Sequence, residues 1–193
     1  MKINSLKFNT FFQKKFVSKA NILRDNQPYQ CDIFQLEKKI DIDYFDKIHD
    51  DRNWKFSHYV DDAETVTNAG APNEKTYVIE DKDQKCLGFV CITDYKETNT
   101  KEVDYLEVCP IYSNSNRKRT LKYIGETLLA FLAKQAKFQN HDELRVPYVM
   151  RNARGFYSKC GFREDNKIFD SAMWIKNDEY DKFISLNNQH TQV

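Results

Sequence analysis

No apolar run in this sequence approaches the roughly 20 residues that a helix needs to cross a bilayer. The longest, Gly88 to Ile92 and Leu128 to Leu132, are a few residues each. The lysine-bearing N-terminus has neither an apolar core nor a small-residue cleavage site, so no secretion signal is read there. The cytoplasm is the expected compartment, with no membrane partner. The cysteines are few and lack pairing. Cys31, Cys86, Cys91, Cys109 and Cys160 are odd in number, form no C-x-x-C spacing and have no histidine cluster beside them. That argues for inert buried thiols and against a zinc site, so no metal is expected. An excess of one charge is missing too: the formal net charge is +1 over 193 residues, which argues against bulk nucleic-acid binding. No internal repeat or low-complexity tract interrupts the chain.

What is present suffices for one domain. Hydrophobic residues make up 40% and aromatics 14%, too many for a disordered chain and enough for a core at this length. The charge is unevenly spread. Residues 1–30 hold six bases against Asp25, a local +5, and residues 31–75 hold eleven acids against six bases, a local −5. The stretch 112–137 sets Arg117, Lys118, Arg119, Lys122, Lys134 and Lys137 against Glu126, again +5. A basic segment beside a helix start suits a phosphate-bearing ligand better than a long polyanion. A solvated helix face is the plainer alternative.

Along the chain, residues 1–28 are expected to form an N-terminal extension. Phe8, Phe11, Phe12 and Phe16 with interleaved lysines predict an amphipathic helix ending before Pro28. The main domain is placed at 29–176, with a polar C-terminal tail at 177–193. Within the domain, Gln30–Leu36 predicts a strand and Asp41–His49 a helix. A second helical stretch is expected through Phe56, Tyr59 and Val60. Thr76–Ile79 and Cys86–Thr93 predict a hairpin across the polar turn Asp81–Gln84. Glu102–Val108 gives another strand, stopped by Pro110. Tyr123–Phe138 is the clearest helix, with Leu128, Leu129, Leu132 and Ala136 on one face. A strand at Leu144–Val149, a short helix at Arg151–Lys159 ended by Gly161, and a strand at Ile168–Ile175 complete a mixed α/β order with one sheet.

Two stretches carry a resemblance to a known family. In Ala153-Arg-Gly-Phe-Tyr-Ser-Lys-Cys-Gly-Phe162, a helix would present the Tyr157 hydroxyl while Phe156 packs, and Gly161 would let the chain reverse into a strand. This resembles the late helix-and-strand signature of the GNAT N-acetyltransferases. The second stretch is Leu106-Glu-Val-Cys-Pro110, the basic loop, and Tyr123-Ile-Gly-Glu-Thr-Leu-Leu129, which resembles the family's central strand, pyrophosphate loop and helix. A loop whose N–H groups converge at a helix N-terminus is what a phosphate needs.

The resemblance implies a single mostly antiparallel sheet flanked by helices and splayed at its central strand. It also implies transfer of an acetyl group from acetyl-CoA to a primary amine. By that resemblance Tyr157 protonates the departing thiolate, and the backbone of Leu106 and Val108 holds the pantetheine arm, Val108 N–H also serving the oxyanion. Arg117, Lys118, Arg119 and Lys122 meet phosphates, with Tyr123, Ile124, Gly125, Glu126 and Thr127 opening the helix beneath them. The match has departures. Gly125 fits the last position of the family's Arg/Gln-x-x-Gly-x-Gly/Ala pattern, but Tyr123 stands where the first glycine belongs and Thr120 where the Arg/Gln does. Met150 occupies the place of a frequent asparagine, and Asn152 is out of register.

For the base, Glu107 is the first candidate, followed by Asp104 and Glu102, with a water chain as the alternative. Simple alternation would put Tyr105, Glu107 and Cys109 on one face and Asp104, Leu106 and Val108 on the other. Acids at 41, 43, 46, 50, 51, 61, 62 and 64, with His49, Trp54, His58 and Tyr59, are expected near the acceptor, which would favour a cationic amine. Family members are often dimers, so a homodimer is the expected assembly. The competing expectation is a GNAT-fold module, weak or inactive in catalysis, that binds CoA or a partner protein.

Overall fold

The computed structural model describes residues 14–36, 42–54, 57, 59–113, 119–164 and 172–188. It opens with a hairpin in which strand β1 (Lys15–Arg24) turns back on β2 (Gln27–Leu36). The two turn residues, Asp25 and Asn26, both have left-handed backbones, φ 49° and 64°. That is the geometry a two-residue hairpin demands, and Asp and Asn tolerate it better than most side chains. Residues 15–24 are therefore a strand and not the expected amphipathic helix. They pair with β2 from Lys15↔Gln35 to Arg24↔Gln27, bury Ile22 completely and belong to the main sheet. Phe8, Phe11 and Phe12 lie outside the described residues.

Helices α1 (Ile42–Asp50) and α2 (Val60–Ala69) follow, then strands β3 (Glu74–Glu80), β4 (Cys86–Tyr95) and β5 (Thr100–Val108). A two-residue β6 (Leu121–Lys122) leads into α3 (Ile124–Phe138). After it come β7 (Glu143–Val146), α4 (Arg154–Cys160), β8 (Arg163–Glu164), β9 (Met173–Lys176) and α5 (Tyr180–Asn188). The sheet order is β6-β1-β2-β3-β4-β5-β7-β9-β8. Every pair is antiparallel except β5 with β7.

Two layers of helix cover this sheet. On one face α3 packs Leu128, Leu129 and Leu132 against Ile79, Val90, Ile92 and Val103. On the other, Phe45, Ile48, Trp54 and Ala63 pack against Val78, Phe89 and Cys91. Leu87 to Thr93 of β4 are accordingly buried without alternation, as a strand covered on both faces must be. Trp54 stacks on Phe89 at 5.7 Å between ring centres, so it is a packing residue and not part of an acceptor wall.

The expected polar tail is corrected as well. Tyr180, Phe183 and Ile184 lie at helical spacing, and α5 buries the first two almost completely. Asn187 Nδ2 ties α5 down by donating to Cys160 O and Phe183 O, both at 2.9 Å. The last strand is described over Met173–Lys176; its expected start at Ile168 lies outside the described residues. Among the described residues, no helix is long and apolar enough to cross a membrane.

Two irregularities shape the middle of the sheet. The pairing of β5 with β7 spans only Thr100↔Glu143, Lys101↔Leu144 and Glu102↔Arg145. Beyond that, β5 stays with β4 while β7 stays with β9, and the sheet splits. Just past the last shared rung, Cys91 faces Tyr105 and Ile92 faces Val103. Asp104 is left over as a β-bulge.

Candidate active site

The split exposes backbone from one edge of β5. Cys109 N–H donates to Leu87 O at 2.9 Å, towards β4. Peptide groups alternate in direction along a strand, so those of Leu106 and Val108 point away from β4 and into the split. Two clefts open there. One, about 520 Å³, runs from Leu106 and Val108 past Arg119 and Tyr123 to the start of α3. The other, about 590 Å³, lies over the bulge and is lined by Tyr59, Glu102, Asp104, Tyr105 and Met150. Leu106, Ala153 and Tyr157 line both.

The first cleft is built on a helix mouth. Thr127 N–H makes the first intrahelical bond, to Tyr123 O at 2.9 Å. The N–H groups of Ile124, Gly125 and Glu126 therefore have no acceptor within the helix. Tyr123 holds the left-handed conformation, φ 69°, at the N-cap. A glycine would take that backbone at no steric cost; tyrosine takes it with strain. Gly125 lets Phe156 come close: a Cβ there would lie 2.9 Å from Phe156 Cζ and push the ring away. This close approach seats α4 beside α3 and brings Tyr157 to the split. Glu126 lines the cleft with Arg119. Burial pushes its carboxyl pKa up, while a hydrogen bond from its own backbone N–H and the charge of Arg119 oppose the rise.

Not every expected phosphate contact gathers here. Lys122 Nζ donates to Asn26 Oδ1 at 2.8 Å, across the β1–β2 turn, away from the cleft. Thr127 Oγ1 donates to Asn21 O at 3.3 Å, so its side chain faces β1. Lys122 was expected at the phosphates and Thr127 in the cofactor-binding start of the helix, and strand pairing and helix phase direct these two side chains to the β1–β2 side. Arg117 and Lys118 lie outside the described residues.

The second cleft owes its chemistry to the bulge. Thr93 Oγ1 donates to Asp104 Oδ2 at 2.7 Å, and Thr93 shares the sheet face of Cys91 and Tyr105. Asp104 and Tyr105, consecutive in sequence, thus share one face. Unbroken alternation had separated them; the extra residue in β5 joins them. Burial pushes the Asp104 pKa up to about 6, against the hydrogen bond from Thr93. Glu107, on the same face, accepts a hydrogen bond from Ser57 Oγ at 2.6 Å. The Tyr59 and Tyr105 rings meet at 5.6 Å, and the Tyr59 hydroxyl donates to Met150 Sδ at 2.8 Å.

Tyr157 is buried, and desolvation holds its hydroxyl protonated far into the alkaline range. Burial likewise raises the Cys109 thiol to about 12, which removes it as a nucleophile at neutral pH. Of the N-terminal residues expected to wall the acceptor, Tyr59 reaches the second cleft. His49 sits on the exposed α1–α2 surface, 3.4 Å from Asp61 and Glu64. Asp41 and His58 lie outside the described residues. Among the described residues, no group of three or more His, Cys, Asp or Glu is arranged to hold a metal ion.

The sequence profile of the acetyltransferase (GNAT) family matches residues 42–162, well over half of the chain. No curated protein matches by sequence. Among solved structures, a chimera of spermidine N-acetyltransferase SpeG from Vibrio cholerae and hSSAT is similar at a TM-score of 0.55. It is 16% identical, over 79% of this chain and 98% of that one. A single-residue mutant of the Vibrio cholerae enzyme gives 0.55 at 18% identity, over 78% and 95%. An acetyltransferase of the GNAT family from Staphylococcus aureus gives 0.53 at 18%, over 75% and 99%. At these identities the likeness is one of fold: a single, mostly antiparallel sheet flanked by helices.

Proposed function

Because the chain belongs to the GNAT acetyltransferase family, we propose that it acetylates a primary amine by direct attack within the β5–β7 split. The observation that carries this is the position of Tyr157, a buried tyrosine that lines both clefts. The first cleft suits acetyl-CoA, with outward peptide groups of Leu106 and Val108 for its extended arm. The helix mouth at Ile124–Gly125 and the Arg119 guanidinium suit its phosphates. Acetyl-CoA supplies a thioester carbonyl; the C–N bond to an uncharged amine forms and the C–S bond breaks.

Each residue then has one task. Asp104, facing the second cleft with a pKa near neutrality, takes the proton the acceptor nitrogen must lose. Val108 N–H donates to the carbonyl oxygen as charge develops on it. Tyr157 delivers its proton to the leaving sulfur. Glu107, held by Ser57, fixes the segment before α2 against β5 and so positions Tyr59 at the acceptor cleft. Asp104 replaces Glu107 as first choice for the base because it lines the acceptor cleft and Glu107 lines the other.

One observation favours a second reading, a module that binds CoA without turnover. Tyr123 and Glu126 put a ring and a carboxylate where a phosphate loop ordinarily offers bare backbone. Calorimetric titration with acetyl-CoA, followed by thiol release with a panel of amines, separates the two. Micromolar binding with amine-dependent release supports the enzyme. Binding with no release from any amine leaves the module, and no binding at millimolar acetyl-CoA overturns both.

A further inference from the structure

The acceptor cleft does not end at Asp104. A third cavity, about 500 Å³, continues from it along the β5–β7 rungs, lined by Thr100, Asp142 and Glu143. Tyr95, Glu102 and Arg145 line both, so the two form one groove. Thr100, Glu102 and Glu143 share its face, because paired residues project to the same side and β5 is regular from Thr100 to Val103.

The lining of the groove is acidic; Lys176, across from Glu143 on β9, turns its ammonium over the Trp174 ring. Glu102, Asp104, Asp142 and Glu143 line it against one guanidinium, that of Arg145, which lies 3.8 Å from Glu102. Among the described residues, neither Asp142 nor Glu143 has a salt-bridge partner. Asp104 takes its hydrogen bond from an uncharged hydroxyl. Charges of one sign along a low-dielectric wall focus the field and concentrate the opposite sign. The aromatics repeat the message. Tyr59, Tyr95, Tyr105 and Tyr148 line the same groove, and Tyr95 and Tyr148 are 40% and 78% exposed. Tyrosine faces attract alkylammonium groups and accept methylene chains.

We infer that the acceptor is an elongated aliphatic polyamine, one nitrogen reacting beside Asp104 and Tyr157 while a second, cationic nitrogen rests near Asp142 and Glu143. The two stations are four strand residues apart, Asp104 to the Thr100↔Glu143 rung, or about 13 Å. This rests on the acetyltransferase reading above and narrows its substrate.

The test is thiol release from acetyl-CoA with hexylamine, 1,3-diaminopropane, 1,6-diaminohexane and 1,10-diaminodecane. We expect kcat/KM to rise along the diamines and to favour the longest over hexylamine about tenfold or more. The double variant Asp142→Asn, Glu143→Gln alters exposed or half-exposed side chains at the far station. It should abolish that preference through KM while leaving hexylamine turnover unchanged. Equal rates for hexylamine and every diamine would overturn the inference and leave amine acetylation standing. A preference that survives the double variant would also overturn it. Binding of acetyl-CoA with no turnover of any of the four amines would overturn the inference, and the reading beneath it falls only when the wider amine panel also gives no release.

Discussion

Asp104 accepts a hydrogen bond from Thr93 Oγ1 at 2.7 Å, at the one rung where β4 and β5 fall out of register. The bulge turns this carboxylate onto the face of Tyr105, and the threonine opposes the pKa rise caused by its burial. Position and protonation thus come from the same irregularity.

The pH profile follows from that pair. With a pKa of about 6 for Asp104, the base proposed above, the rate should fall as pH drops through about 6, because the carboxylate becomes protonated. Thr93→Val removes the bond that favours the carboxylate, so the acid limb should move to higher pH. Asp104→Asn should lower kcat/KM by about 100-fold or more and remove the limb. Its effect on stability has the opposite sign. A carboxyl whose folded pKa lies above its unfolded value costs stability once ionised. The variant should therefore gain Tm at pH 7 to 8 and lose that gain towards pH 4. A pH profile of kcat/KM and melting curves across this range check both.

Tyr157→Phe keeps the ring that packs edge-on against Phe156 and Phe162 and removes the hydroxyl. We expect kcat to fall by roughly 100-fold, with acetyl-CoA affinity and Tm nearly unchanged. Comparable loss of affinity would assign the residue to binding instead.

Glu126 brings a negative charge into the cleft proposed for phosphates. Glu126→Gln should tighten acetyl-CoA binding several-fold by calorimetry, most at low salt. Wild-type affinity should rise as pH falls and the raised carboxyl neutralises. Because burial raises the folded carboxyl pKa, ionised Glu126 costs stability, so tighter binding should accompany an equal or slightly higher Tm of the free protein at neutral pH.

The C-terminal helix is a stability element. Phe183 is 3% exposed and meets the Phe162 ring edge-on at 5.2 Å. Phe183→Ala should cost about 3–5 kcal/mol in urea unfolding. A cost under about 1 kcal/mol would mean that α5 does not belong to the cooperative core.

Local sequence gave good access to features fixed by neighbours in the chain. The Phe156–Tyr157 pair and the left-handed Gly161, φ 107°, sit within one helical turn and its exit. The outward peptides of Leu106 and Val108 follow from alternation after the bulge. The bulge itself was hidden, because the leftover residue is decided by pairing with β4 and nothing in Val103-Asp104-Tyr105 marks it. β1 was misread because phenylalanines among lysines fit a helical stripe, although Asp25-Asn26 between alternating segments signals a hairpin. α5 was missed because its apolar stripe is thin: Tyr180, Phe183 and Ile184 within a polar run. Lys122 and Thr127 show the limit of counting charges or positions near a helix start. Their side chains follow strand and helix phase, which here point to β1.

The three-rung contact of β5 with β7 also has a thermodynamic side. Among the described residues the β5–β7 pairing ends at Glu102, and the peptide groups of Leu106 and Val108 beyond it are directed away from β4. On the function proposed above, an extended ligand lying along Leu106 and Val108 would act as an added strand and bind only the folded chain. Folding and occupancy are then linked: at a hundred times its Kd, such a ligand adds about 2.7 kcal/mol to the stability. The melting temperature of this protein becomes a gauge of ligand level, and amide exchange at Leu106 and Val108 should slow ahead of the rest.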